Sequence, residues 1–252
     1  MWERAGLKYN AKLVLKTNYW MAFAVSLVAG ILTGGASGTS SRVSNSIAQN
    51  SGSYPEWGTQ SWDSIIGSMI SAVGMATIVS VGLLLFLLGV AYSIFLANPI
   101  EVGRARYFVQ SRKQVSRFTL LFSSFREKSY LGAVTTMLLR DVYLFLWFLL
   151  LIIPGIVKSY AYRLVPYILA DNPNIGAQRA IELSNQMTKG EKLEIFVLDL
   201  SFLGWFLLSL IPCGLGIVFL SPYISATNAE LYAALKEKAY RNGICTPAEL
   251  GE

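Results

Sequence analysis

Long apolar stretches separated by polar or basic segments organise this 252-residue chain. Crossing a hydrocarbon core of roughly 30 Å takes about 20 helical residues. On that measure the stretches near 18–35, 68–97, 130–153, 155–170, 195–211 and 213–233 predict six membrane spans. The expected fold class is therefore all-α, a polytopic membrane protein. Its spans pair into three helical hairpins, 1–98, 99–171 and 172–235, followed by a cytoplasmic tail at 236–252. The second stretch begins at Ile65 and, at about 33 residues or roughly 50 Å of helix, has to tilt, kink or project.

The basic positions set the orientation. Residues 1–17 carry four Lys or Arg, 98–129 seven, 171–194 three and 234–252 three, against Arg42 alone in 36–64. Cytoplasmic loops hold the excess of cations, so both termini are expected on the cytoplasmic side of a plasma membrane. Segment 36–64 becomes the long external loop, with Tyr54, Trp57 and Trp62 suited to headgroup depth. Pro154-Gly155 and Pro212-Cys213-Gly214 read as the tight outer turns. The "LTGGASG" run offers small residues of the kind that follow a signal peptide. Seventeen residues of basic amphipathic sequence precede that first apolar stretch, so a span is the expectation and a cleaved signal peptide its rival.

Composition narrows the function. With 54% hydrophobic and 14% charged residues and a mean hydropathy of +0.47, the chain is too apolar for an ordinary soluble domain. The +6 net charge sits in loops between spans, so it is topological and implies no nucleic acid. There is no histidine, and the two cysteines, Cys213 and Cys245, fall on opposite sides of the expected membrane. His/Cys metal sites, Cys-His nucleophiles and a disulfide framework lack their raw material, and no metal or cofactor is expected. Phosphate loops, nucleophile elbows and zinc-protease pairs are also missing from the sequence. The expectation is a non-enzyme that binds or translocates an amphiphilic or anionic substrate, lipid or peptide, through a polar bundle interior. The alternative is an accessory, immunity or envelope-stress scaffold. Expected partners are membrane lipids and a second copy or another membrane protein.

An internal repeat supports the hairpin reading. "DVYLFLWFLLLIIP" (141–154) and "DLSFLGWFLLSLIP" (199–212) agree at seven of fourteen positions, Asp, Trp and Pro among them. Each runs on to a Pro-Tyr-Ile, at 166–168 and 222–224. Such repeats are common in transporters, whose binding sites lie at the repeat interface. The run "IPGIVKSYAYRLVPYILADNP", with "AIELSNQMTKGEKLEIFVLDLSFLGWFLL" and "SPYISATNAELY", resembles a bacterial integral-membrane family known as domain of unknown function 975. The likeness covers almost the whole chain and is most specific between Trp147 and Tyr232. It implies a six-helix plasma-membrane protein of Gram-positive type, distantly similar to the membrane domain of some glycerophosphodiester phosphodiesterases. It brings no catalytic residues.

The candidate site lies on the returning span of the second hairpin. At about 1.5 Å per residue, Lys158 falls roughly 6 Å and Arg163 roughly 14 Å below Pro154, while Asp141 and Asp199 fall roughly 20 Å below their prolines. An unpaired ion at that depth is costly, so Arg163 is expected to pair with Asp141, Asp199 or a bound anion. Lys158 is expected to reach outward, with Tyr160, Tyr162 and Tyr167 adding hydroxyls to a binding site. Elsewhere, Gly67, Gly74, Gly82 and Gly89 recur along one face of the second span as a helix-packing surface. Arg4, Lys8, Lys12 and Lys16 draw a basic stripe suited to anionic headgroups, on a helix that also carries Trp2, Leu7, Val14 and Leu15. Asn172 is placed to cap a helix with Pro173 at its first position. Ala180, Ile181, Ser184 and Met187 share one face of that helix, and Gly190 ends it.

Overall fold

The computed structural model describes residues 2–34, 62–126, 130–210 and 215–251. Among these every regular element is helical, and the chain divides into two compact units, 34–93 and the remainder. The smaller unit contributes α2 (Trp62–Tyr92), whose outward residues from Ile78 to Leu88 are apolar and exposed. A Cβ placed at Gly74, Gly82 or Gly89 meets no atom within 4 Å. Tyr54 and Trp57 of the external loop, the Pro212 turn and Cys213 lie outside the described residues.

The larger unit begins with α1 (Arg4–Gly34), broken at Asn18, where φ is −137° and ψ 31°. A π turn (Ser93–Ala97) leads into α3 (Asn98–Ser111), and a 3₁₀ turn (Phe118–Phe122) into the short α4 (Ser123–Arg126). There follow α5 (Tyr130–Leu150), α6 (Ile152–Ala161), α7 (Val165–Asp171), α8 (Ala177–Met187), α9 (Lys192–Leu200), α10 (Leu203–Leu210) and α11 (Leu215–Arg241). A 3₁₀ turn, Pro247–Leu250, ends the described chain. Two helical stretches, Ala76–Ser111 and Tyr130–Leu150, are long and apolar enough to cross a membrane. The bent pair Arg4–Lys16 and Asn18–Leu32 makes a third if taken as one span.

Three buried clusters hold the larger unit together. One gathers Leu164, Ile168, Leu183, Ile195, Phe202 and Tyr232 from α7, α8, α9 and α11 and their junctions. A second joins Val25 and Ala29 of α1 to Ile100, Tyr107 and Phe108 of α3. The third packs Val102, Met137, Ala161, Val165 and Leu169. The outer faces of α5, α6 and α10 are the reverse, with Leu149 through Ile153 and Trp205, Leu207 and Leu208 all exposed. Apolar side chains this exposed suit a lipid environment.

Several local expectations change. The α5–α6 turn is at Leu151, whose backbone is extended, and Pro154 lies inside the first turn of α6. Proline fits a first helical turn because the N–H it lacks has no partner there. The expected 155–170 span is two helices parted at Tyr162–Leu164, and the expected 195–211 span is parted at Ser201–Phe202. Asn172 does not cap α8. It closes α7, accepts the Asn174 N–H on its own Oδ1 and donates Nδ2 to the Glu249 carbonyl at 2.9 Å. Helix α8 starts instead after Gly176, at φ 84°. Its shared face is buried as expected at Ala180, Ile181, Ser184 and Met187, and Gly190 follows at φ 83°.

Candidate functional site

The break between α6 and α7 is built, not frayed. A break frees backbone groups that need partners when buried, and Ser184 of α8 supplies two of them. Its Oγ donates to the Ala161 carbonyl at 2.7 Å and accepts the Leu164 N–H at 3.2 Å. Thr188 Oγ1 adds a longer bond to the same carbonyl at 3.4 Å. Both side chains are fully buried.

Arg163 sits in this break and reaches the C-terminal end of α9. Its Nη1 and Nη2 meet the two oxygens of Asp199 at 2.5 and 2.8 Å, and Nη2 also donates to Asn228 Oδ1 of α11 at 2.9 Å. The Tyr160 ring centroid lies 5.8 Å from the guanidinium carbon. One bidentate pair thus ties the α6–α7 break to the second break just beyond Asp199. A carboxylate and an amide take three of the five guanidinium N–H groups, so the arrangement is a cross-tie between segments.

The other expected site residues separate. Asp141 does not reach Arg163; its Oδ1 takes Arg140 Nη2 at 2.8 Å and its Oδ2 takes Asn98 Nδ2 at 3.0 Å, with Glu101 on the far side of Arg140 at 3.3 Å. Lys158 lies against aromatic rings. Its ammonium lies 4.8 Å from the Trp147 ring centroid and 5.7 Å from that of Tyr162. Tyr167 stacks on Tyr232, whose hydroxyl bonds Asp171, as does Lys236.

The basic stripe of α1 is partly engaged with its own chain. Arg4 faces Glu194 at 3.9 Å, Lys8 lies 4.4 Å over the Phe202 ring and 3.5 Å from the Ser201 carbonyl, and Lys12 lies 6.0 Å over the Tyr223 ring. Trp2 donates its indole N–H to Glu191 at 2.9 Å.

Beside Lys12 and Lys16 opens a groove of about 610 Å³ between α1, α10 and α11. Leu15, Tyr19, Trp205, Leu208, Phe219 and Leu220 form its apolar walls. The sequence reading placed Lys12 and Lys16 on a lipid-facing stripe and did not join them to α10 and α11. The missing signal was available in Gly216, where a Cβ would stand 2.7 Å from the Ser209 Cα, so only glycine lets α11 close on α10 and floor the groove. The α5–α6 hairpin closes in the same way, with Gly155 against the Phe148 ring. Among the described residues no three of His, Cys, Asp or Glu converge as metal ligands.

Residues 148–239 match the model of a family described as "Protein of unknown function (DUF975)", in agreement with the resemblance carried by that stretch. No curated protein and no solved structure matches the chain.

Proposed function

We propose that this chain, with its DUF975 region at 148–239, is a plasma-membrane protein that binds an amphiphilic molecule and catalyses no reaction. The observation that carries the reading is the groove between α1, α10 and α11. It is large enough for a small ligand, walled by apolar side chains and bordered by lysines at one side. In this reading the six apolar segments are three hairpins with both termini cytoplasmic, and the segments at 152–171 and 192–210 cross as broken helices. Broken helices are tolerated at membrane depth when neighbouring side chains satisfy the freed backbone, the service Ser184 performs. The internal repeat draws support from the α5–α6 and α10–α11 hairpins, both of which close through a glycine contact just after the repeated segments. Broken helices also form the substrate sites of many transporters, so translocation of the bound molecule belongs to the same proposal.

Identification of the material that stays with gently purified full-length protein tests it. Mass spectrometry is expected to find an amphiphile in near-stoichiometric amount, and Trp205→Ala on the groove wall to reduce it several-fold. A stoichiometric partner protein with no retained amphiphile would replace this reading with the scaffold.

A further inference from the structure

The groove's lining carries more information than its size. It contains two lysines and no carboxylate. Lys12 and Lys16 stand four residues apart, which puts both ammonium groups on one side of α1, and both are exposed. Lys8 and Arg4 continue the row, and burial followed by the charges of Lys12 and Arg4 holds Lys8 below the usual lysine range. Positive charge is therefore crowded along this edge, and an anion beside Lys12 and Lys16 relieves it.

The remaining lining is graded. Tyr19 stands on the same helix as the lysines, and Trp20 is exposed next to it. Amphipathic rings mark headgroup depth in membrane proteins. Leu15, Leu208, Phe219 and Leu220 supply a wholly apolar part. Two polar groups of the wall are already occupied. Ser209 Oγ donates to the Phe206 carbonyl, and the Tyr19 hydroxyl donates to the Phe219 carbonyl. A peptide backbone laid along this apolar part would lose hydration without gaining partners, which is costly, whereas a hydrocarbon chain needs none.

Resting on the amphiphile-binding reading, we infer that the groove is a site for a membrane lipid with an anionic phosphodiester headgroup. Lys12 and Lys16 hold the headgroup, and an acyl chain lies along Trp205, Leu208 and Phe219.

The full-length protein in detergent, offered phosphatidylglycerol and phosphatidylcholine of identical acyl chains, tests this by native mass spectrometry of the retained lipid. A lysine near an anionic lipid surface is worth enough that two predict a preference of about tenfold to thirtyfold for phosphatidylglycerol. Lys12→Gln with Lys16→Gln should erase the preference, while Lys12→Arg with Lys16→Arg should keep it. Thermal melts of all variants confirm folding, since both lysines are exposed. Equal retention of the two lipids by the wild type, or a preference surviving the double glutamine variant, overturns the headgroup assignment and leaves amphiphile binding standing. Retention of neither lipid, with no other amphiphile present, overturns both. A retained peptide in place of lipid overturns the lipid assignment alone.

Discussion

Arg163 and Asp199 face each other through paired nitrogens and oxygens, and the sequence already contained the reason that Asp199, not Asp141, is the partner. The repeat makes the two aspartates equivalent, but Asp141 follows Arg140 whereas Asp199 follows Leu198. The first carboxylate has a cation beside it on its own helix; the second has to find one elsewhere. Depth counted along the helices brought both within reach of Arg163, and adjacent charge decides between them. A partly buried pair of this kind is costly to break from one side, about 3–5 kcal/mol, because the survivor is left unpaired, and much less costly to remove whole. Arg163→Gln is therefore expected to destabilise the protein strongly. Adding Asp199→Asn should recover about 1 kcal/mol or more in a double-mutant cycle measured by denaturant unfolding in detergent. If the double variant is as unstable as the sum of the single ones, the two side chains do not act as a pair.

At the scale of helices, the sequence pattern found where apolar segments lie but not where they break. Pro166 and Pro222 occupy the same place in the two Pro-Tyr-Ile motifs, yet the first stands at the start of α7 while α11 runs through the second. The difference lies outside the motif. Near Pro166 a buried hydroxyl from α8, Ser184, takes the backbone groups on both sides of the break. Nothing in hydropathy marks that serine as a partner twenty residues away, although its burial on an amphipathic helix was legible. Ser184→Ala leaves the Ala161 carbonyl and the Leu164 N–H without it, at a cost of about 1–3 kcal/mol. Thr188→Val should cost less, since the bond it makes to Ala161 is long. Hydrogen exchange over 160–166 should rise in the first variant well beyond the second, and equal exchange in both would remove Ser184 from this role.

For the molecule as a whole, the C-terminal segment ties back onto the connection between α7 and α8, a contact the sequence could not reveal because it pairs exposed-looking charges far apart in the chain. Arg179 of α8 donates Nε to Glu249 at 2.6 Å and Nη2 to the Ile244 carbonyl at 3.1 Å. Asn172 holds the Glu249 carbonyl, and Leu250 and Cys245 are buried in the core beneath. The hydrogen bond from Arg179 holds the Glu249 carboxyl below the usual carboxylate range, against a smaller opposing effect of burial. A carboxyl whose value is lowered on folding adds stability that is complete above its unfolded value, roughly 4.3, and is lost as pH falls through the lower folded value. Glu249→Gln should therefore cost about 0.5–1 kcal/mol at pH 7, the scale of a partly exposed pair. The gap between wild type and variant should hold steady down to about pH 5 and close below pH 4 in thermal melts across that range. The direction of closure is the test. A gap that persisted below pH 3, or widened on acidification, would show that the neutral side chain is lost for its shape and that the charge of Glu249 does not secure the C-terminal segment.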